Sequence, residues 1–281
     1  MRPAILHRPK SEIANRVLQV DRSHLCAEKL ALEPFGPLGA ARYDVDASRM
    51  PRRYKCAHKI QNELVINALR KSSAPKPTVL DLGCGTANDG FQILSKTTSA
   101  IYFGLDYSSH MIKRAEDKLA RHGLKKRSLF LERDFRFVDA CGLWAGFKKA
   151  NLARQVSVVI SALALHHYEL AEKLHVYTVA YDLLQKGGLF VLTDLFSNSI
   201  SSVADLALLK ESLDVRISIK RLIGSKVTVS SNNTTLSVSH YTDENHPHIL
   251  SDEIELLLKR GFENVDVVYR HGQLGVICAA K

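Results

Sequence analysis

Val79-Leu80-Asp81-Leu82-Gly83-Cys84-Gly85-Thr86-Ala87-Asn88-Asp89 decides how the rest of the chain reads. An apolar run closes on an acid, two glycines make a tight turn, and a helical pattern follows. Glycine lets the backbone take positive φ and approach a ligand closely. Spacing separates the ligands that use such a loop. A dinucleotide fingerprint needs a small residue three places after its second glycine, so that helix and sheet pack closely. That slot is Asn88. A Walker loop needs Gly-Lys-Ser/Thr, which does not follow here. Asp81 would also repel a pyrophosphate. It suits a ligand that carries a cationic group and no phosphate.

Outward from the loop, short apolar runs alternate with amphipathic helical patterns. The runs are TVLDL at 78–82, IYFGLD at 101–106, SLFLER at 128–133, VSVVI at 156–160 and LFVLTDLF at 189–196. Helices are predicted from about Asn88, over 108–122 and over about 169–185. This alternation predicts a parallel sheet with helices on both faces, and near-continuous apolar strands suit such double cover. A helix from Ser251 carries Asp252 and Glu253 in its first turn and stops at Gly261. ENVDVVYR and LGVICAA follow as two strands. Residues 195–248 interrupt the pattern with a helix over about 203–213 and a possible hairpin, KVTVS–SNN–TTLSVSH, and read as an insertion able to cover a site. Upstream, helices are predicted over about 11–32 and 58–71. EPFGPLGAA reads as a break between them and SSAPKP as a linker.

At the glycine loop the chain resembles the class I methyltransferases that use S-adenosylmethionine. Their first motif, Asp/Glu-x-Gly-x-Gly-x-Gly after an apolar strand, is matched by Asp81, Gly83, Cys84 and Gly85, with Ala87 in place of the third glycine. The resemblance covers roughly 78–195 and the last 30 residues, and later motifs follow in order. It implies a Rossmann-like α/β fold: a seven-stranded, mostly parallel sheet of order 3-2-1-4-5-7-6, helices on both faces, and an antiparallel last strand. It also implies donor-binding roles. Asp106, ending the second strand, would accept the ribose hydroxyls. Tyr107 follows it, and Met111 would sit beside the adenine. Asp134 would meet the adenine amino group, with Phe135 against the ring. Ser161 and Ala162, ending the fourth strand, would lie next to the donor methyl. Lys186-Gly187-Gly188 matches the turn into the fifth strand.

Methyl transfer from a sulfonium is an in-line displacement that needs alignment and, for some acceptors, a base. The sulfonium already activates the methyl, so no metal is required. Candidate bases are His166 and His167, after the fourth strand, and Asp194, at the exit of the fifth. Tyr168 joins them as a substrate contact. RYDVDASRMPRRY resembles a segment that folds over donor and substrate in small-molecule methyltransferases, which marks Tyr43 and Tyr54 as lid residues. Similar segments occur in enzymes that modify tRNA wobble uridines through a carboxylated donor. The first motif of that family is not matched closely enough to carry the special donor over. The expected division is a basic helical extension or lid over 1–77 and a methyltransferase domain over 78–281.

Composition narrows the partners. The 281 residues carry a formal net charge of +10. Residues 1–77 hold 15 Lys and Arg against 7 Asp and Glu, whereas 78–281 hold 24 against 22. The excess therefore lies in the expected lid segment and favours an anionic partner there. The expected acceptor is a small molecule, itself anionic in one reading. A tRNA methyltransferase that contacts phosphates through the basic segment is the first alternative. A non-catalytic binding protein on the same fold is the second. No RNA-binding module or Asn/Asp-Pro-Pro-aromatic tetrapeptide supports the RNA reading. Five scattered cysteines form no zinc or redox pair and suit a reducing compartment. No apolar run is long enough to span a bilayer. A cytoplasmic location is expected, although Arg2, Arg8, Arg16 and Arg22 among few acids are also compatible with a mitochondrial presequence.

Overall fold

A computed structural model describes residues 35–149, 155–197 and 247–281. In chain order the elements are α1 (Pro37–Ser48), α2 (Arg52–Lys71), β1 (Thr78–Leu82), α3 (Asn88–Ser95), β2 (Ile101–Asp106), α4 (Ser109–Arg121), β3 (Ser128–Glu132), α5 (Ala140–Lys149), β4 (Val156–Ala162), α6 (Leu170–Leu183), β5 (Leu184–Leu195), α7 (Leu250–Arg260), β6 (Glu263–His271) and β7 (Leu274–Ala280).

The seven strands form one sheet in the order β3-β2-β1-β4-β5-β7-β6. β1 pairs in parallel with β2 and β4, with Asp81 opposite Gly104 and Ile160. β7 runs antiparallel to both β5 and β6. The order expected from the resemblance is therefore the order observed, antiparallel last strand included.

Alternation along the buried strands divides the core in two. Val79, Val158, Ile160 and Val191 point to one face, where Val65, Ile66 and Leu69 of α2, Ile93 of α3 and Leu119 of α4 cover them. Leu80, Leu82, Val159, Phe190 and Leu192 point to the other, under Phe147 of α5, Val176 and Leu183 of α6 and Leu257 of α7. Burying each large aliphatic chain contributes about 1.5–3 kcal/mol, so neither helical layer is dispensable. Strand order reverses between β1 and β4, and open α/β sheets place ligands in the crevice at the carboxyl ends of the strands there.

Four local expectations change. EPFGPLGAA is not only a break, because Pro37 opens α1 at its first position, where a missing N–H costs no helical bond. α2 begins at Arg52 behind Pro51 rather than near His58. Its first turn, Arg52 to Lys55, is polar and shows no apolar period, so its start was hidden. The stretch before β4, irregular by pattern, contains the ten-residue α5. Lys186-Gly187-Gly188 is not a turn before β5 but an irregularity within it: the partners of Val156 and Val158 are Leu184 and Leu189. The helices near 11–32 and 203–213, and the hairpin in the insertion, lie outside the described residues. Among the described residues no helix is long and apolar enough to cross a membrane.

Candidate active site

The site grows from the carboxyl end of β1. Gly83 has φ +80°, and a Cβ built on it would lie 2.6 Å from the Ala164 Cβ, so only glycine lets the loop after β1 pass the loop after β4. The Gly83 and Cys84 amides both donate to the Leu105 carbonyl, at 2.9 and 2.8 Å. Ala87, in the place of the third glycine, takes a left-handed backbone conformation with φ 56°. The Cys84 thiol is buried, and burial pushes its pKa well up.

Asp106 receives the Gly85 amide at 2.8 Å on one oxygen and the Ser108 amide at 2.9 Å on the other. The Tyr107 backbone N–H adds a further favourable contact to this carboxylate. Burial raises its pKa against the pull of those bonds. Beside it Tyr107 is half exposed and meets Phe35 edge to face. Met111 is fully buried in the first turn of α4. Phe135 is buried, with its ring 3.4 Å from the Cβ position of Gly83 and edge to face with Tyr168. Asp134 is committed elsewhere: Arg136 grips both its oxygens at 2.6–3.1 Å. Ser161 turns inward and donates to the Leu82 carbonyl at 2.8 Å, tying β4 to β1.

A cavity of about 390 Å³ opens on the other side of the glycine loop. Its floor is Asp81, Gly83, Cys84, Ala162 and Leu163, and its walls come from α1, α2 and α3. Asp81 is the unusual group. Its Oδ2 accepts from the Tyr102 hydroxyl at 2.6 Å, while Oδ1 is buried with no hydrogen-bond partner among the described residues. Burial first, then the nearby Asp89 and Asp106 carboxylates, push its pKa up to about 8 despite the Tyr102 bond. A buried, unpaired carboxyl oxygen on a cavity floor is where a cationic group fits.

Two polar clusters have no counterpart in the motif reading. Asp89 receives His58 at 2.9 Å, Gln61 at 3.2 Å and Asn62 at 2.8 Å. Burial opposes its charge, but the His58 charge and these donors outweigh it, and the pKa is lowered. The available signal was Gln61 and Asn62 standing at buried positions of α2 among Ala57, Val65 and Ile66. In the second cluster the Lys118 ammonium donates to Asp44 at 2.8 Å, Thr86 at 3.0 Å and Asn88 at 2.6 Å. It latches α1 to the glycine loop, and the Tyr43 ring lies 3.8 Å from the Cβ position of Gly85.

Asp194 and His166 are brought together. The His166 Nδ1 bonds one Asp194 oxygen and the Leu165 amide donates to the other at 2.9 Å. Both residues are buried, and the His166 Nε2 has no partner among the described residues. Burial would raise the Asp194 pKa, but the adjoining imidazole lowers it. The His167 ring lies against that of His166, with centroids 4.1 Å apart and planes tilted by 41°. None of His166, His167, Tyr168, Asp194 or Tyr54 is on the wall of the cavity, whereas Tyr43 is.

The same architecture recurs among known proteins. Residues 74–252 match the family model of a methyltransferase domain. A carboxy-S-adenosyl-L-methionine synthase of Nautilia profundicola is 25% identical over 221 residues, 78% of this chain and 83% of that protein. A Methanococcus maripaludis protein assigned as an S-adenosylmethionine-dependent methyltransferase superposes with a TM-score of 0.53 at 16% identity, over 88% of this chain and 94% of that one. The CurJ carbon methyltransferase superposes with a TM-score of 0.53 at 18% identity, over 79% and 53%. The chain spans about half the length of several solved structures that it matches. The family match covers more than half of the chain and the sheet has the corresponding strand order, so the chain belongs to the class I S-adenosylmethionine-dependent methyltransferases.

Proposed function

We propose that this chain transfers the methyl group of S-adenosylmethionine to a small-molecule acceptor. Residues up to 77 act as the cover, 78–281 as the donor-binding domain, and 195–248 as a substrate-side insertion. The observation that carries the reading is the unpaired Asp81 Oδ1 on the cavity floor. A cationic donor supplies what that oxygen lacks. On the β2 side of the loop, Asp106 takes the ribose hydroxyls, and Tyr107, Met111, Asp134 and Phe135 flank the place for the adenine. Ala162 is the wall beside the methyl, and Ser161 serves by holding that wall in register.

When bound, the donor supplies an electrophilic methyl on a sulfonium. The chain aligns the acceptor and takes its proton where there is one to lose. Asp194 positions the turn after β4 and holds the His166 Nδ1, which leaves Nε2 bare but buried off the cavity wall, so that as a base it would act only on an acceptor that reaches past Leu163 into that turn. Tyr43, on the cavity wall, would shape the acceptor's surroundings, and His167, Tyr168 and Tyr54, off that wall, would act through the elements that carry them. Histidine nitrogen NMR checks this assignment: His166 should carry its proton on Nδ1 and leave Nε2 bare in the neutral form. The opposite tautomer would remove it as a base.

The Asp81 reading is tested by proton release. A carboxyl with a pKa of about 8 is mostly protonated at pH 7. A cation beside it lowers that pKa and expels the proton. Calorimetry in buffers of different ionisation heat should show nearly one proton released per S-adenosylmethionine at pH 7, and almost none at about pH 9.5. Asp81→Asn should abolish the release. A wild type that releases no proton at pH 7 would show that Asp81 does not face the cation.

A second reading is suggested by the Nautilia relative, whose name describes donor modification. The lysines on the cavity wall favour it, because they suit a carboxylated molecule. Mass spectrometry of adenosyl compounds carried by the purified protein separates the two readings. A donor heavier by a carboxyl group would establish the second.

A further inference from the structure

The outer wall of the cavity collects unused positive charge. α2 presents Lys55, His58, Lys59 and Asn62 to it at i, i+3, i+4 and i+7, one stripe of helix surface. α3 faces them with Asn88 and Gln92, and Lys96 follows at its C-cap. The carboxylates on the same wall are already satisfied. Asp44 is bound by Lys118 and Asp89 by His58, Gln61 and Asn62. Asp81 adds no net negative charge, since it is mostly protonated at pH 7 without the donor and faces the donor's cation when the donor is bound. Lys59 meets Glu63 only at 3.9 Å in an exposed pair, which is worth little. Among the described residues Lys55 and Lys96 pair with no carboxylate. The cavity thus runs from a floor without net charge at Gly83, Ala162 and Leu163 to a cationic outer wall. The three lysines are exposed, so their pull on an anion comes from several like charges gathered on one concave wall and weakens with salt.

We infer that the groove between α2 and α3 is the second-substrate site, and that it takes a molecule bearing a carboxylate or phosphate group, held by Lys55, Lys59 and Lys96 with its reactive end toward Ala162 and Leu163. The inference rests on the donor reading above. Lysines are compact point charges on flexible stems, so they select charge rather than a planar fork. The charge excess at the start of the chain gains a structural location: two of these three lysines precede residue 78.

The probe is citrate, with inorganic phosphate in parallel, titrated onto the full chain loaded with S-adenosylhomocysteine. Chloride at equal ionic strength is the control. Citrate should raise the melting temperature by about 2 °C or more at saturating concentration, in addition to the shift given by S-adenosylhomocysteine. In the Lys55→Gln/Lys59→Gln/Lys96→Gln variant, citrate affinity should fall at least about tenfold, while S-adenosylhomocysteine affinity changes less than about twofold. Three results overturn the inference: citrate no better than chloride, citrate binding unchanged in the variant, or citrate displacing S-adenosylhomocysteine. The last would give the lysines to the donor's own carboxylate. If S-adenosylhomocysteine does not bind the wild type, the donor reading fails separately. The same lysine dependence is then required of citrate on the unloaded chain.

Discussion

Asp106→Ala should weaken S-adenosylmethionine binding about 100-fold or more, measured by calorimetry at fixed salt. The proposed role gives this carboxylate both ribose hydroxyls. Two charge-assisted hydrogen bonds at about 1.5 kcal/mol each come to about 3 kcal/mol, or two orders of magnitude in affinity. The substitution also strands the Gly85 and Ser108 amides, which Asp106 now receives at 2.8 and 2.9 Å. The glycine loop should therefore loosen as well. Asp106→Asn is the informative partner. It keeps one acceptor oxygen and most of the volume, so the loss should be about tenfold. Asp134→Ala should cost far less, about fivefold at most, because Arg136 already occupies that carboxylate. Equal binding by wild type and Asp106→Ala would refute the ribose assignment. A large loss in Asp134→Ala would show that Arg136 gives way to the donor.

Gly90→Ala should cost about 1–3 kcal/mol of stability, read as a lower urea midpoint with unchanged slope. An exposed helical glycine behaves in the opposite way, since alanine there gains up to about 1 kcal/mol. Here a Cβ would lie 2.5–2.8 Å from three atoms of the Tyr102 ring. Tyr102 is fully buried and has Phe130 on its edge, with ring centroids 5.9 Å apart. The ring must shift, and the shift pulls its hydroxyl from Asp81, 2.6 Å away. Donor affinity should fall with stability, because Asp81 loses the bond that orients it. A stabilised Gly90→Ala protein would show that Tyr102 relaxes without strain.

Gly90 also marks the limit of local spacing. A dinucleotide fingerprint puts the small residue needed for close helix–sheet packing at the position of Asn88. The close approach occurs two residues later, between α3 and a tyrosine on β2. Nothing in the spacing of the loop names that ring. The sequence marks Asp81 as suited to a cationic ligand, and the structure places it buried on the cavity floor. The shifted pKa depends on Tyr102, Asp89 and the depth of burial, none of which its neighbours in the chain report. The sequence marks His166 and Asp194 only as separate candidates. Their pairing, and their absence from the cavity wall, follow from β4 and β5 lying side by side.

The sequence by itself determined the layered fold, the strand order through its family resemblance, and the donor loop. These signals are short-range: strand apolarity, helical period, and glycines at fixed offsets are set by backbone sterics and by which faces must be buried. Only the tertiary structure decided what surrounds the loop. His58 reaches Asp89 across 31 residues and Lys118 reaches Asp44 across 74. A polar side chain on a buried helix face announces that it needs a partner but not which one. The cationic groove arises in the same way. Lys55 and Lys96 are ordinary solvated charges along the chain, and they become one surface only where α2 and α3 pack side by side on the sheet.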